Sequence, residues 1–419
     1  MEIDHIAVVG LGYIGLPTAA AFATRGFKVT GVDIKTSTVE AVNRGEVPFV
    51  EPDLGVAVSG AVSNGTLQAS LTMPAADAYV LSVPTPFSDG HSPDLSYVKA
   101  SIESIAPLLK GGELIVLEST SPPGTTRKIA GWLAEQRPDL LIDGMDSKGD
   151  KRRKIFLAHA PERVLPGRVM IEIVTNDRII GGLSPEASRR AADLYGTFVQ
   201  GEILITDATT AELAKLAENA FRDVNIAFAN ELSIVADRLG VDVWDLIRLA
   251  NHHPRVNILQ PGPGVGGHCI AVDPWFIVDA APDVTNLIRT AREVNDSKPG
   301  YVLDKVVNAA RRLKEPKIAV LGLSFKANID DLRESPSLAL TAELVVRLPD
   351  ATVEVIEPHI EELPDVLRLL KNVTLADNVS AAIKMADIVL LLVDHTQFKA
   401  IHKSELTGKM VFDTRGLWR

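Results

Sequence analysis

Short apolar runs alternate along this chain with longer segments that carry apolar residues at helical spacing. In the first half, the apolar runs occupy positions 6–9, 28–32, 78–83, 113–117 and 155–157. Runs of this length that end in glycine or polar residues are typical of buried strands. Strands that alternate with helices predict a parallel sheet with helices on both faces.

The last hundred residues repeat this order. Apolar runs at 317–321, 353–356 and 388–393 follow one another at roughly the spacing of the first three runs. The first of them also ends in glycine, and the second also ends in an acidic residue. We therefore predict two Rossmann-like, doubly wound α/β domains. The second copy has Lys326 where the first has its third glycine, which favours a different phosphate ligand.

A proline-free segment rich in alanine, leucine and glutamate runs from 209 to 239. Thr209 and Glu212 form a capping-box pattern at its start, and Gly240 follows as a stop. A helix of about 30 residues is roughly 45 Å long, which is enough to join two domains. Positions 224–236 are apolar on nearly every side, so the sequence predicts a homodimer across this helix.

These elements divide the chain into three predicted domains. We predict a first Rossmann domain at 1–205, a central helical domain at 206–300 and a second Rossmann-like domain at 301–419. The central segment also holds predicted helices at 244–250 and 285–296.

The composition of the chain argues against several classes of protein. The chain has 43 basic and 54 acidic residues and a net charge of -11, which argues against general binding to nucleic acid or to an anionic membrane. Its single cysteine excludes an intrachain disulfide, and apolar runs such as 388–393 are too short to span a bilayer. With no charged and apolar leader in view, we expect a cytoplasmic protein.

The first strand and helix enclose a dinucleotide fingerprint. Gly10, Gly12 and Gly15 lie between the run at 6–9 and the next helical segment, so the helix N-terminus would face a pyrophosphate. Asp33 follows about 20 residues later, where a carboxylate accepts the ribose hydroxyls of NAD and repels the 2′-phosphate of NADP. The pattern predicts an NAD site; the alternatives are a purely structural turn, or NADP bound with help from Lys35.

Other strand ends supply further candidates. Thr85, Thr120 and Glu162 follow the third, fourth and fifth apolar runs, at the ligand-facing edge of a parallel sheet. The alternative is that such residues simply end strands.

The long helical segment carries a polar stripe. Lys215, Asn219 and Arg222 fall at i, i+4 and i+7 and therefore share one face. A solvent-exposed face is the ordinary explanation of such a stripe. On a helix buried from several directions, however, it indicates a site for an anion.

The only cysteine lies in a glycine-rich loop. Cys269 follows Gly262, Gly264, Gly266 and Gly267, which allow the backbone to pass close to a ligand. A thiol held in such a loop is a candidate nucleophile, whereas the alternative is a small buried hydrophobe. We predict no metal site, because no chelating spacing connects the nearby candidates His252, His253, His268, Cys269 and Asp273.

The chain resembles the UDP-glucose/GDP-mannose dehydrogenase family along its whole length, through the motifs GLGYIGLP, VPTP, ESTSPPGTT, APERVLPG, AELAKLAENAFRDVNIAFANE, GPGVGGHCIAVDPWF and GLSFKANIDDLRESP, in that order. The resemblance implies oxidation of carbon 6 of a nucleotide sugar to a carboxylate, with two NAD consumed per sugar.

The resemblance also implies site residues. Cys269 would be the nucleophile, Lys215 an acid/base and charge-stabilising residue, and Asn219 and Asp273 would hold a water and the oxyanion. Thr120 and Glu162 match further active-site positions. Besides the glycine turn, the implied NAD contacts are Tyr13, Ile14, Asp33, Thr85, Thr126 and Arg333. The implied contacts of the nucleotide sugar are Arg163, Val164, Lys215, Asn219, Arg222, His253, Arg255, Gly266, Phe325 and Lys326.

Two departures bear on the substrate. UDP-glucose members carry a second glutamate four residues after the position of Glu162, where this chain has Pro166. The lysine that those members carry just before the loop aspartate is Val272 here. Both weaken the case for UDP-glucose and agree with an acetamido sugar. The resemblance implies UDP-N-acetyl-D-mannosamine, and UDP-N-acetylglucosamine, UDP-glucose and GDP-mannose are the alternatives.

The candidate residues fit this chemistry. Oxidation of an alcohol to an acid removes four electrons, and a thiolate can hold the intermediate aldehyde as a thiohemiacetal that becomes a thioester. Two rival functions remain: a two-electron NAD dehydrogenase of a small hydroxy acid, in which Cys269 only packs, and a nucleotide sensor that binds without turnover. The sequence leaves open the sugar epimer, the downstream pathway and any assembly beyond a dimer.

Overall fold

The computed structural model describes residues 3–49, 51–87, 91–145, 150–165, 167–267 and 270–418. Contacts divide the chain into two compact units. Unit 1 comprises Met1–Glu218 and Trp275–Pro282, and unit 2 comprises Asn219–Pro274 and Asp283–Arg419. The predicted boundaries of three domains stay a prediction.

The helices are α1 (Gly15–Thr24), α2 (Thr36–Asn43), α3 (Leu54–Ser63), α4 (Ser96–Ile105), α5 (Thr125–Gln136), α6 (Val169–Thr175), α7 (Pro185–Tyr195), α8 (Ala208–Leu239), α9 (Val243–Ala250), α10 (Asp273–Ala280), α11 (Asn286–Ala310), α12 (Pro336–Arg347), α13 (Asp365–Arg368) and α14 (Val379–Met385). The strands are β1 (His5–Val9), β2 (Lys28–Val32), β3 (Leu67–Ser70), β4 (Ala78–Leu81), β5 (Leu114–Leu117), β6 (Leu141–Ile142), β7 (Lys154–His159), β8 (Arg178–Gly182), β9 (Ile203–Asp207), β10 (Lys317–Leu321), β11 (Thr352–Ile356), β12 (Val373–Leu375), β13 (Ile388–Leu391) and β14 (Met410–Asp413).

Unit 1 is built on one sheet in the order β3-β2-β1-β4-β5-β7-β8-β9, with β6 paired to β7. Its first six positions have the strand order of a doubly wound dinucleotide fold. The pairs from β3 to β7 are parallel, whereas β7 and β8 are antiparallel. The carboxyl ends of the parallel strands therefore share one edge, at which the predicted cofactor residues lie.

Unit 2 contains a parallel five-stranded sheet in the order β12-β11-β10-β13-β14. This order matches the first five positions of the sheet in unit 1. The predicted fold class, with two Rossmann-like doubly wound sheets and a long helix, is confirmed.

Burial on both faces of each sheet explains why these strands are apolar at nearly every position. In β1, Ile6 and Val8 belong to one apolar cluster, while Ala7 and Val9 belong to the cluster on the opposite face. The second sheet is divided in the same way, since Ile318 and Val320 face one cluster and Ala319 faces the other. Helices on both faces complete these cores.

Two details of the helices differ from the sequence-based expectation. The capping box is wrong: α8 begins at Ala208, and the carboxylate of Asp207 accepts the backbone N–H of Thr210 at 3.0 Å. The helix predicted at 285–296 continues through Pro299 to Ala310. Its later turns bury apolar side chains in the core of unit 2, and this packing outweighs the proline penalty.

Within the described ranges, no helix combines the length and apolar character needed to cross a bilayer.

Candidate active site

The glycine turn of unit 1 requires glycine at two of its three positions. Gly10 has a φ of 90°, and an ideal Cβ there would lie 2.5 Å from the carbonyl oxygen of Ser82. A Cβ at Gly15 would lie 1.8 Å from the carbonyl oxygen of Gly10. At Gly12, by contrast, a Cβ would meet nothing within 4 Å. The turn is therefore closed on the protein side and open at Gly12, at the N-terminus of α1, where a pyrophosphate would bind.

The acidic residue at the end of β2 is tied to this turn. The Asp33 carboxylate accepts the backbone N–H of Leu11 and that of Lys35, each at 2.9 Å, while remaining partly exposed. Tyr13, 38% exposed, stacks on Phe49 with ring centroids 4.3 Å apart. The residues present fit NAD: an open glycine turn for the pyrophosphate and a fixed carboxylate for the ribose hydroxyls.

We expect Asp33→Asn to reduce the preference for NAD over NADP. The amide keeps a hydrogen-bond acceptor for Leu11 but removes the charge that faces a 2′-phosphate, so the ratio of kcat/KM for NAD to that for NADP should fall by about tenfold or more. Initial rates of NADH and NADPH formation measure this ratio. Lys35→Ala is the control and should leave NAD preferred; an unchanged ratio in Asp33→Asn would contradict the assignment.

Thr85 and Thr126, two of the predicted cofactor residues, form hydrogen bonds with other residues of unit 1. The Thr85 hydroxyl donates to the carbonyl oxygen of Thr120 at 2.5 Å, which joins the ends of β4 and β5. Thr126 is buried, and its hydroxyl and backbone N–H both donate to the carboxylate of Glu212, at 2.6 and 2.7 Å. Burial raises the pKa of Glu212, although these bonds oppose the shift. Direct contact of Thr85 and Thr126 with NAD stays a prediction.

Glu162, just beyond β7, is a buried carboxylate with a cation beside it. It accepts the backbone N–H of Arg163 at 2.6 Å and a bond from Arg178 at 2.5 Å. Burial raises its pKa, and the positive charge of Arg178 opposes that rise. A raised pKa makes this carboxylate a stronger base than an ordinary glutamate and suits it to accept a proton. The neighbouring Arg163 forms an ion pair with Glu218 at 2.8 Å, and Val164 packs against the main core of unit 1.

Helix α8 carries Lys215 and Asn219 four residues apart, and both are buried. In unit 2, the amide of Asn219 donates to the carboxylate of Asp273 at 2.6 Å. Asp273 is 2% exposed and begins α10. The expectation of a buried polar stripe is wrong for Arg222, which is exposed although it shares the face of Lys215 and Asn219, because burial along one face of a helix depends on which distant elements cover each turn.

The glycine loop of unit 2 packs against the turn that follows β10. An ideal Cβ at Gly266 would lie 2.5 Å from Cδ of Pro336 and 2.6 Å from the carbonyl oxygen of Glu334. At Gly267, with a φ of 86°, it would lie 3.1 Å from the ring of Phe325. The glycines thus permit a close approach to the turn that carries Phe325 and the exposed Lys326. His268 and Cys269 lie outside the described residues, as does Pro166.

A buried network fixes the start of this loop. Arg292 donates to Asp223 at 2.5 Å, and Asn295 donates to the same carboxylate at 2.8 Å. Asn230 then donates to Asn295 at 2.8 Å and accepts the backbone N–H of Gly262 at 2.9 Å. All four side chains are buried. The loop is therefore anchored through α8 to α11.

A carboxylate accepts a backbone N–H of the turn after β10, as it does in the glycine turn of unit 1. The backbone N–H of Leu323 donates to Glu357 at 2.7 Å, as Leu11 does to Asp33. Here, however, the carboxylate is buried and bonded to His395 at 3.1 Å. The acidic residue of unit 2 is consequently used to hold the turn.

The other predicted ligand contacts lie on the surface. His253 and Arg255 are exposed, and Nδ1 of His253 accepts the backbone N–H of Arg255 at 3.3 Å. Arg333 pairs with Asp331 at 2.6 Å. Their roles stay predictions.

Sequence reasoning missed three charged residues near these candidates. Glu118 lies inside the ESTSP motif, and Arg178 opens an apolar strand, where a charge is unusual. Arg415 lies against the glycine loop, since an ideal Cβ at Gly262 would be 2.7 Å from its Nη1. A charged residue within or beside an apolar run was the available signal for Glu118 and Arg178.

Comparison with protein families matches three profiles along the chain. They are the NAD binding domain, the central domain and the UDP binding domain of the UDP-glucose/GDP-mannose dehydrogenase family, at residues 4–199, 209–297 and 319–419.

Individual relatives cover nearly the whole chain. An NDP-N-acetyl-D-galactosaminuronic acid dehydrogenase from Ralstonia nicotianae is 57% identical, over 100% of this chain and 97% of its own. A UDP-N-acetyl-D-mannosamine dehydrogenase from Escherichia coli is 53% identical over 100% of both chains. Among solved structures, a UDP-N-acetyl-mannosamine dehydrogenase from Staphylococcus aureus is 42% identical, with a TM-score of 0.86 over 99% of this chain and 96% of its own.

Proposed function

Because this chain belongs to the UDP-glucose/GDP-mannose dehydrogenase family, and is thus an NAD-dependent nucleotide-sugar dehydrogenase, we propose that it converts UDP-N-acetyl-D-mannosamine to the 6-uronate. The observation that carries the oxidation to an acid is the buried pair of Asn219 and Asp273 at the end of the cysteine loop, while the choice of sugar rests on the similarity to the mannosamine dehydrogenases. A carboxylate four residues after a thiol, fixed by an amide from α8, is suited to hold a water and an oxyanion there.

Different residues of the chain serve different steps of the proposed reaction. Gly10, Gly12, Gly15 and Asp33 would hold NAD, which when bound accepts one hydride in each of two oxidations. In the first oxidation the alcohol loses a hydride and a proton, and Glu162 takes the proton. The Cys269 thiol then adds to the aldehyde to give a thiohemiacetal, so the aldehyde stays bound to the enzyme.

The second oxidation converts the thiohemiacetal to a thioester, with loss of a second hydride and a second proton. Lys215 stabilises the negative charge that develops on the sugar oxygen. Water held by Asn219 and Asp273 attacks the thioester, which releases the carboxylate and returns the thiol. The sum converts one alcohol, one water and two NAD+ to one carboxylate, two NADH and three protons.

The identity of the sugar is tested with a panel of nucleotide sugars. UDP-N-acetylmannosamine, UDP-N-acetylgalactosamine, UDP-N-acetylglucosamine, UDP-glucose and GDP-mannose are incubated with enzyme and NAD, and kcat/KM is measured. We expect UDP-N-acetylmannosamine to exceed the others by at least about tenfold. The similarity to the Ralstonia enzyme makes UDP-N-acetylgalactosamine the second candidate. A preference for UDP-glucose or GDP-mannose would overturn the choice of an acetamido sugar.

We also propose a homodimer through α8. Phe221, Phe228 and Val235 are 69, 53 and 44% exposed and recur every seven residues, so they form one apolar stripe that ends near Leu239. An exposed apolar stripe of this kind is typical of an interface. A second copy of the chain would cover it with an identical stripe.

Replacement of Phe221 and Phe228 by glutamate should give a monomer. Light scattering at micromolar concentration should give about twice the chain mass for the wild type and the chain mass for this double variant. Leu369→Glu, which changes a still more exposed apolar residue of unit 2, is the control and should stay dimeric. A wild-type monomer would refute the proposal.

A further inference from the structure

One guanidinium group lies between two buried glutamates in unit 1. Nη2 of Arg178 donates to Oε1 of Glu118 at 2.7 Å and to Oε2 of Glu162 at 2.5 Å. Arg178 is 4% exposed, Glu118 1% and Glu162 8%. The three residues come from β8 and from the turns after β5 and β7, so the sheet itself brings them together.

Glu118 has a full set of donors. Its Oε2 accepts the hydroxyls of Thr18 and Ser82, at 3.0 and 2.6 Å. Its Oε1 accepts the Tyr195 hydroxyl at 3.1 Å in addition to Arg178. Four donors of this kind stabilise an ionised carboxylate. Glu118 is therefore held in one orientation beside the guanidinium.

Glu162 has a less complete shell. One oxygen accepts the backbone N–H of Arg163, and the other accepts the same nitrogen of Arg178 that also serves Glu118. The charged and titratable groups that act on Glu162 are Arg178 on β8, Glu118 after β5 and Lys215 on α8. Arg163 directs its own guanidinium to Glu218, and Tyr195 on α7 faces Arg178, whose Cζ lies 4.5 Å from the centre of its ring.

We propose that Arg178 and Glu118 are positioning residues for Glu162: a single cation, divided between two carboxylates, fixes the orientation of Glu162 while leaving it able to accept a proton. The proposal rests on the proposed role of Glu162 as the proton acceptor. If Glu162 had the guanidinium to itself, the ion pair would make it a weaker base. If it had no cation at all, burial would raise its pKa further, and it would hold a proton more firmly.

The two positioning residues should move the pH profile in opposite directions. Glu118→Gln removes the competing charge, so Glu162 should hold its proton less firmly and the acid limb of kcat/KM should move to lower pH by about one unit. Arg178→Gln removes the cation, so the acid limb should move to higher pH by about one unit or more. If Glu118 and Arg178 only packed, their substitution would not shift the acid limb in opposite directions.

The control makes the same chemical change at the opposite end of β5. Glu113 is buried just before β5 and accepts the backbone N–H groups of Lys110 and Gly111 at 2.7 and 2.8 Å. Glu113→Gln should leave the acid limb unchanged, even if it lowers the melting temperature. If Arg178→Gln does not fold, the double variant Glu118→Gln/Arg178→Gln replaces it, and its acid limb should lie above that of Glu118→Gln.

The outcomes separate this inference from the proposed function. Opposite shifts, with an unchanged profile in Glu113→Gln, support the positioning role. If Glu162→Gln lowers kcat by about a hundredfold but neither positioning variant shifts the limb, the inference is overturned and the role of Glu162 stands. If Glu162→Gln keeps the wild-type rate and profile, its role as proton acceptor fails, and the inference fails with it.

Discussion

Replacement of Cys269 by alanine is expected to stop formation of the uronate. Without the thiol there is no thiohemiacetal to carry the aldehyde into the second oxidation and no thioester to hydrolyse. Uronate formation should fall by at least about a thousandfold, the scale seen when a covalent nucleophile is removed. Mass spectrometry of the sugar products, with the rate of NADH formation, measures the effect.

Serine at the same position sharpens this test. A serine hydroxyl has a far higher pKa than a thiol, so Cys269→Ser should attack the aldehyde poorly and turn over slowly or stall. Unchanged affinity for NAD in both variants would show that unit 1 remains folded. Uronate formed at the normal rate by Cys269→Ala would mean that the thiol only packs and that no thioester lies on the path to the acid.

Lys215→Ala should lower kcat by roughly a hundredfold to a thousandfold. Its positive charge is required mainly as negative charge develops on the sugar oxygen, so its loss affects the transition state more than binding. Lys215→Arg keeps the charge but changes the geometry and should recover part of the rate. Steady-state kinetics with the preferred nucleotide sugar measure kcat and KM separately.

Arg255 is the matched comparison for Lys215. It is exposed and is implied to contact the nucleotide sugar, so Arg255→Ala should raise KM by about tenfold with little change in kcat. A kcat effect for Arg255 with a KM effect for Lys215 would mean that the two roles are reversed.

Local signals were sufficient to predict much of this molecule. The run at 28–32 and the glycine turn before it identify β2 and the cofactor edge, because strand burial and positive φ leave direct traces in residue type. The strand at 317–321 and the start of a second sheet follow from the same signals. The proline-free, alanine- and leucine-rich composition of 209–239 likewise predicted α8, whose start lies one residue earlier even though the predicted capping box is wrong.

Long-range packing set the limits of prediction. Helix α11 passes through Pro299 because its later residues are buried, and a proline read alone favours a break. Glu118 and Arg178 are 60 residues apart, and nothing in either segment specifies the other as its partner. Whether a polar side chain of α8 is buried, as Lys215 is, or exposed, as Arg222 is, also depends on distant elements.

The ratio of NADH formed to nucleotide sugar consumed in the wild-type enzyme tests the central claim most directly. A limiting amount of the preferred sugar is incubated with excess NAD until absorbance at the NADH band is constant, and the products are identified by mass spectrometry. Four-electron oxidation through Cys269 predicts two NADH for each sugar, with the uronate as product and no free aldehyde. One NADH for each sugar, with aldehyde released to solution, would contradict the account.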